Sequence, residues 1–305
     1  MKIALFDCCK FKFMGDLIRH WGSQGHEIRK TLYWDPRMVE WADITFFDWV
    51  DNSLMRFSNP EDALYKENGL VTPKNKRIIA RCHDIDAWCG HYRRVNWTLV
   101  NDLIFVAPHI KDLVLEQLKP PPTLNIHTIK HGIDLDRWTL RKNPEKNNKI
   151  GWVGRITHHK CLELALQVLA ENPTHELHAV GTSLDSWELA YVDDFVKRLG
   201  LKFFHYPEVS DLNEFWEDKT YALLTSFKEA FSYAMGEAMA KGVKPLIHHF
   251  YGAENVWDKK YLWDKVSECK PMLAEYEYNP QEYRGYIEKN YNLKDMLNQY
   301  DKIMF

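Results

Sequence analysis

From the first residue, short apolar runs alternate with amphipathic stretches, the pattern of repeated βα units that build a parallel sheet. In the first half, strands are predicted at Lys2 to Asp7, Glu27 to Thr31, Asp43 to Phe47, Arg77 to Arg81, Leu103 to Val106 and Leu124 to Ile129. Helices are predicted from Gly15 to Gln24, ending at Gly25, and from Pro108 to Gln117. A polar stretch with a proline, Asn143 to Asn148, reads as an interdomain linker. A second series then predicts strands at Lys149 to Val153, Glu176 to Val180, Lys202 to His205, Tyr221 to Thr225 and Lys244 to His248. Its helices are Cys161 to Glu171, Leu189 to Leu199 and Tyr233 to Lys241. Two doubly wound halves result, residues 1–142 and 149–275, and the helical pattern of the last stretch, 276–305, suits a segment that crosses back to the first half.

A chain of 305 residues accommodates two such domains, and 45% hydrophobic with 27% charged residues is the balance of a folded globular protein. Aromatics reach 14%, with 12 Trp, a surplus that suits clefts in which flat rings stack on sugars or bases. A net charge of -3 does not indicate a nucleic-acid coat, although a local basic patch keeps that partner open. The six Cys form no CxxC pair, and a reducing, cytoplasmic setting is expected. No early signal-peptide pattern or apolar run of membrane-spanning length is present.

Ligands of open parallel sheets bind at the carboxyl ends of the strands. In the second half, Lys149 to Lys160 (KIGWVGRITHHK) places Gly154 and Arg155 just past a strand and Lys160 at the start of the next helix. Two cations beside a helix N-terminus suit a diphosphate. Further on, Ser226 to Gly242 (SFKEAFSYAMGEAMAKG) sets Glu229 after a strand and Glu237 on the following helix, with seven residues between them. A carboxylate accepts two hydrogen bonds from a vicinal diol, and a helix N-terminus favours phosphate, so both halves of a sugar nucleotide could be held here.

This arrangement, followed by Ala-Met-Ala-Lys-Gly and a strand, resembles the donor-site motif of family-4 retaining glycosyltransferases, relatives of glycogen and sucrose synthases. The resemblance extends to Gly154-Arg155 with Lys160, to Ser23 to Ile28 (SQGHEI), and to His131 to Trp138 (HGIDLDRW). It implies the GT-B fold, two Rossmann-like α/β domains facing a central cleft. Glu237 would receive the ribose hydroxyls and Glu229 would lie by the donor sugar. Backbone N–H groups of the stretch Phe231 to Tyr233, through Ser232, would meet the diphosphate, with Gly15, Gly154 and Ala230 completing the donor site. His83, in ARCHDID, sits where the family has a His near the donor sugar. The implied catalytic set is thus His83, Arg155, Lys160 and Glu229. The donor would be a UDP- or GDP-sugar and the acceptor a hydroxyl of a glycan or glycoconjugate. No cofactor or metal is required, and retention would proceed at the front face, the leaving phosphate helping to remove the acceptor proton.

The chain departs from the family in three places. Its Gly-Phe-Gly turn is Ala230-Phe231-Ser232, the Gly after the downstream Lys is Cys161, and the early Gly-rich loop is reduced to Gly15. Asp84-Ile-Asp86 and Asp134-Leu-Asp136 offer an alternative, metal-holding reading. Lys12, Trp88, Arg93 and Arg94, with Lys10, His91 and Trp97, are the acceptor-side candidates, a mix of cations and rings that suits a glycan or a nucleic-acid base. Two other functions stay open: a viral-type glycosyltransferase acting on a hydroxylated DNA base, and a non-catalytic sugar-nucleotide binder of the same fold.

Overall fold

The computed structural model describes residues 1–59, 61, 76–142, 144–183, 185–274 and 277–305. The chain forms two compact units, Met1–His131 with Asp295–Phe305, and Gly132–Lys294.

The first unit runs β1 (Lys2–Phe6), α1 (Gly15–Ser23), β2 (Glu27–Thr31), α2 (Pro36–Trp41), β3 (Ile44–Phe47), α3 (Asn52–Phe57), β4 (Arg77–Cys82), α4 (Asp84–Cys89), β5 (Asp102–Phe105), α5 (Pro108–Leu115) and β6 (Asn125–Thr128). Its six strands pair in parallel in the order β2-β1-β3-β4-β5-β6. Every residue of β3 and β5 is buried, as expected of strands covered on both faces, whereas the edge strand β2 is largely exposed.

The second unit runs β7 (Lys149–Val153), α6 (Leu162–Glu171), β8 (Glu176–Val180), α7 (Ser186–Leu199), β9 (Phe203–Tyr206), α8 (Leu212–Phe215), β10 (Tyr221–Leu224), α9 (Tyr233–Ala240), β11 (Lys244–His248), β12 (Leu262–Trp263), α10 (Val266–Ala274) and α11 (Pro280–Asn290). Its sheet is also parallel, in the order β12-β11-β10-β7-β8-β9. The last helix, α12 (Leu293–Met304), starts in this unit and belongs to the first from Asp295 onward. No helix among the described residues is long and apolar enough to cross a membrane.

Packing moves the boundary between the units away from the polar segment. Ile133 and Trp138 lie in the core of the second unit, and the Ile133 N–H donates to the Tyr291 carbonyl at 2.7 Å. Asn147, within the polar segment, binds Thr220 Oγ1 through its N–H at 2.8 Å and the Asp218 carbonyl through its side chain at 2.8 Å, so this stretch is tied to the second unit. Asn143, at the head of that segment, and residues 275 and 276, where the next boundary was drawn, lie outside the described residues. The Trp surplus is mostly core: nine of the twelve are buried, and only Trp88 and Trp187 are exposed.

One buried side chain ties several loop ends of the second unit together. Arg141 donates to the carbonyls of Trp216, Glu217 and Lys219 at 3.3, 3.0 and 2.6 Å, and to those of Lys241 and Gly242 at 3.1 Å each. It thereby satisfies carbonyls left open where α8 and α9 end. Arg141→Ala takes this donor from the Glu217 and Lys219 carbonyls, while Gly242 keeps the Tyr278 hydroxyl at 2.8 Å, and should cost about 3 kcal/mol of unfolding free energy. Urea titration checks this, and a loss below about 1 kcal/mol would show that the clamp is dispensable.

Candidate functional site

In the second unit the strand order reverses between β7 and β10, with β8 and β9 to one side and β11 and β12 to the other. Crossovers diverge at such a point and leave the carboxyl edge of the sheet uncovered. Of the residues singled out from the sequence, Gly154, Arg155, Lys160, Glu229, Ser232 and Glu237 lie in the loops and helix starts that follow β7 and β10. Gly154 follows β7, and its N–H donates to the Val180 carbonyl at 3.0 Å while the Ile156 N–H donates to the Thr182 carbonyl at 2.9 Å, zipping the β7 and β8 loops together. That approach requires glycine at Gly181, where a Cβ would stand 1.8 Å from the Gly154 carbonyl oxygen.

The loops after β7 and β10 are pinned by a relay. Trp152 Nε1 donates to Thr225 Oγ1 at 3.0 Å, and that hydroxyl donates to the Lys160 carbonyl at 2.8 Å. Lys160 Nζ in turn pairs with Glu229 Oε1, which also accepts from Ser226 Oγ at 2.7 Å. Glu229 is buried. Arg155 is exposed, and its guanidinium makes no hydrogen bond or ion pair among the described residues. Ser232 caps α9, its hydroxyl accepting from the Met235 N–H at 3.4 Å, and Glu237 lies half-buried in the second turn. Phe231 faces inward, stacked on Trp257 at 5.3 Å, so the turn it belongs to is anchored in the core. A loose cation, a paired Lys and Glu, and a helix start converge at one sheet edge, a set able to meet a diphosphate and hydroxyls.

The first unit reverses its strand order between β1 and β3, and a buried polar network occupies that edge. Asp48, after β3, accepts at Oδ1 from Arg81 Nε and from His83 Nε2, the latter at 2.9 Å. Burial alone would raise the Asp48 carboxyl, but Arg81 and His83 outweigh it and hold the group below its ordinary value. Trp49 stacks on the His83 ring at 4.0 Å and donates from Nε1 to Asp7 Oδ1 at 3.1 Å. Burial, and then the charge of Asp48, raise the Asp7 carboxyl. Sequence reasoning found His83 but missed Asp48 and Arg81; their signal was a charge set directly after the apolar strand β3 and another inside the buried part of β4. Gly181 and Ser226 were missed as well, short polar positions just past strands.

Three of the four aspartates in the two Asp-x-Asp pairs have partners within the protein. Asp86 accepts from the His83 N–H at 2.9 Å as α4 begins, and burial pushes its carboxyl up to about 8, which keeps it uncharged at neutral pH. Asp134 Oδ1 accepts from the N–H groups of Asp136 and Arg137 at 3.0 and 3.1 Å, and Asp136 pairs with Lys294 at 3.2 Å. Of the acceptor-side candidates, Lys12, Trp88, Arg93 and Arg94 are exposed, and Arg93 is tied to Gln117. Trp97 is core, its Nε1 donating to the Tyr92 carbonyl at 2.9 Å. Gly15 opens α1 with ordinary space for a Cβ, 3.5 Å from the Arg19 guanidinium.

Residues 136–303, more than half of the chain, match the family described as Glycosyl transferases group 1. No curated protein sequence matches the chain. Among solved structures, HepE of Anabaena in complex with UDP superposes with a TM-score of 0.78 at 13% identity, covering 100% of this chain and 99% of that one. Sucrose-phosphate synthase from Thermosynechococcus elongatus gives 0.73 at 13% identity, over 100% and 98%. TarM gives 0.66 at 16% identity over 85% of this chain, which spans only 54% of TarM. At these identities the likeness shows the fold, which is GT-B.

Asp86 supplies a pH signature. Its folded value near 8 lies above the roughly 3.9 of a free Asp, so between the two the unfolded chain releases a proton that the folded chain keeps. Its contribution to stability therefore falls as pH rises from about 4 to about 8. Asp86→Asn removes this dependence, and the variant's unfolding free energy relative to wild type should climb with pH across that window. A difference that stays constant with pH would refute it.

Proposed function

The chain belongs to the group 1 glycosyl transferases, and from that premise we propose that it is a retaining hexosyltransferase taking its sugar from a nucleoside diphosphate donor bound by the second unit. The observation that carries this is the cluster at the β7–β10 edge: Glu229 held by Lys160 and Ser226, Arg155 without a partner among the described residues, and α9 starting beside them. Glu237 takes the ribose diol, Glu229 a sugar hydroxyl, and the N–H groups of the α9 start the diphosphate, with Ala230, Phe231, Ser232 and Tyr233 shaping that turn. Gly154 lets the β7 loop lie close. The UDP in the HepE complex supports a UDP-sugar as first choice of donor.

In the reaction, the bond from the anomeric carbon to the diphosphate breaks, and a new bond forms from the acceptor oxygen on the same face. The acceptor proton passes to an oxygen of the leaving diphosphate, so protein groups supply charge and position. Arg155 and Lys160 meet the negative charge that accumulates on the diphosphate. Lys160 can do so by loosening its hold on Glu229, which keeps Ser226 as a partner. His83 of the first unit is assigned to the donor sugar, oriented by Asp48 and Trp49. A hydroxyl of a glycan or glycoconjugate is the acceptor, with Lys12, Trp88, Arg93 and Arg94 as its contacts.

A panel of UDP- and GDP-sugars tests the donor assignment by thermal shift and nucleotide release; one donor should both stabilise the protein and be slowly hydrolysed. Stabilisation without release, and without transfer to any glycan acceptor, would favour a non-catalytic binder instead. Arg155→Ala should lower kcat by about 100- to 1000-fold. Because Arg155 is exposed and unpaired in the described structure, its Tm should stay within about 1 °C of wild type. Wild-type turnover in that variant would remove Arg155 from the mechanism.

A further inference from the structure

The His83–Asp48 contact does not end at Asp48. Arg81, fully buried beneath it, is coordinated on all sides: Nε donates to Asp48, Nη1 to Tyr300 Oη at 3.0 Å, and Nη2 to the Phe13 carbonyl at 3.2 Å. Tyr300 lies on α12, more than two hundred residues further along the chain, and is itself fully buried, its ring beside Trp21 and Phe46. The next residue, Asp301, makes a separate anchor, accepting from His20 Nε2 at 2.8 Å, Trp21 Nε1 at 3.1 Å and Gln24 Nε2 at 2.9 Å. Two adjacent residues of the last helix thus do different work. Asp301 fastens the helix to α1, while Tyr300 reaches the cation that holds Asp48.

We propose that Tyr300 is a positioning residue for His83, acting through Arg81 and Asp48. Asp48 Oδ1 is shared by two donors, so the place of the carboxylate is set jointly by Arg81 and His83. With the carboxylate accepting at Nε2, the imidazole carries its proton there, and its orientation follows Asp48. Arg81 in turn is a planar fork whose direction is set by the acceptors at its other end. Removing the Tyr300 hydroxyl takes one of those acceptors away, and the guanidinium tilts toward those that remain, drawing Asp48 and the ring with it. The chain's end thereby contributes to the geometry of a group assigned to the donor sugar; this consequence for turnover rests on that assignment, whereas the physical link to His83 does not.

Tyr300→Phe keeps the ring and its packing and removes only the hydroxyl. Asp301→Asn serves as the comparison, since it weakens the docking of the same helix without touching Arg81. Histidine side-chain 15N spectra, with the His83 signals assigned by their loss in His83→Ala, report on the ring directly. The expected result is that Tyr300→Phe moves the His83 signals and lowers kcat about tenfold with donor KM unchanged, while Asp301→Asn does neither. In a His83→Ala background the Tyr300→Phe effect on kcat should vanish, because the path ends at His83. Unmoved His83 signals in Tyr300→Phe would overturn the proposal, and so would a kcat loss of equal size with and without His83. Moved signals with unchanged kcat would uphold the link and overturn instead the assignment of His83 to the donor sugar.

Discussion

Everything chemical in this chain depends on where its two parallel sheets reverse their strand order. A strand whose neighbours are reached by crossovers running in opposite directions leaves a gap at its carboxyl end that no helix covers. In the first unit that gap lies past β1 and β3, and Asp7 and Asp48 are the first residues beyond those strands. In the second it lies past β7 and β10, where Gly154 and Thr225 take the same places. Strand burial and site placement are thus one constraint: the apolar strands must be covered on both faces, and polar residues become affordable only at the edge where covering stops.

Gathering charge at such an edge costs desolvation, and the two units answer it in one way. In each unit one buried carboxylate is matched to a cation and to a second donor: Asp48 to Arg81 and the His83 ring, Glu229 to Lys160 and the Ser226 hydroxyl. Such pairs add little net stability compared with apolar residues of the same shape, yet breaking one costs about 3–5 kcal/mol. An exposed pair such as Arg198 with Asp194 contributes about 1 kcal/mol at most. The asymmetry makes the buried pairs fixers of geometry. Asp86 is the contrasting case, a carboxylate given two backbone donors and no cation, which keeps its proton instead.

Most strands were legible because buried parallel strands are written as short, mainly apolar runs; β7, β8 and β11 begin and end where the pattern places them, while the two-residue β12 is too short to show one. Helices α2, α3 and α4 were not legible, since six residues are too few to display a period, and their starts depend on single caps: Asp35, Asp51 and the Asp86 bond to His83. The cluster past β7 and β10 was legible because its residues lie close together in sequence around two strand ends. The His83 network was not, because Asp48, Arg81 and Tyr300 are dispersed from the third strand to the last helix, and only packing brings them together. Trp97 misled for a related reason: an aromatic beside cations reads as a binding platform until its ring is seen inside.

The departures from the glycosyltransferase motif divide into two physical kinds. Cys161, where the resemblance places glycine, has φ +50° at the start of α6, a left-handed conformation costing a residue with a Cβ about 1–2 kcal/mol. Lys10 and Phe11, in the loop after β1 where the resemblance places glycines, carry the same kind of strain at φ +58° and +60°. In these loops the backbone path remains and the side chain bears the cost. Ala230 and Ser232 differ, for neither has a positive φ and Ser232 gains a cap on α9. Ala230 and Ser232 therefore stand where the resemblance places glycine without backbone strain. The kinds separate experimentally: Cys161→Gly should gain up to about 1.5 kcal/mol, the strain relieved less roughly 0.5–1 kcal/mol of glycine entropy. Ser232→Gly should instead lose a few tenths with the cap. Denaturant midpoints moving together in the two variants would show that one kind of departure, not two, had been made.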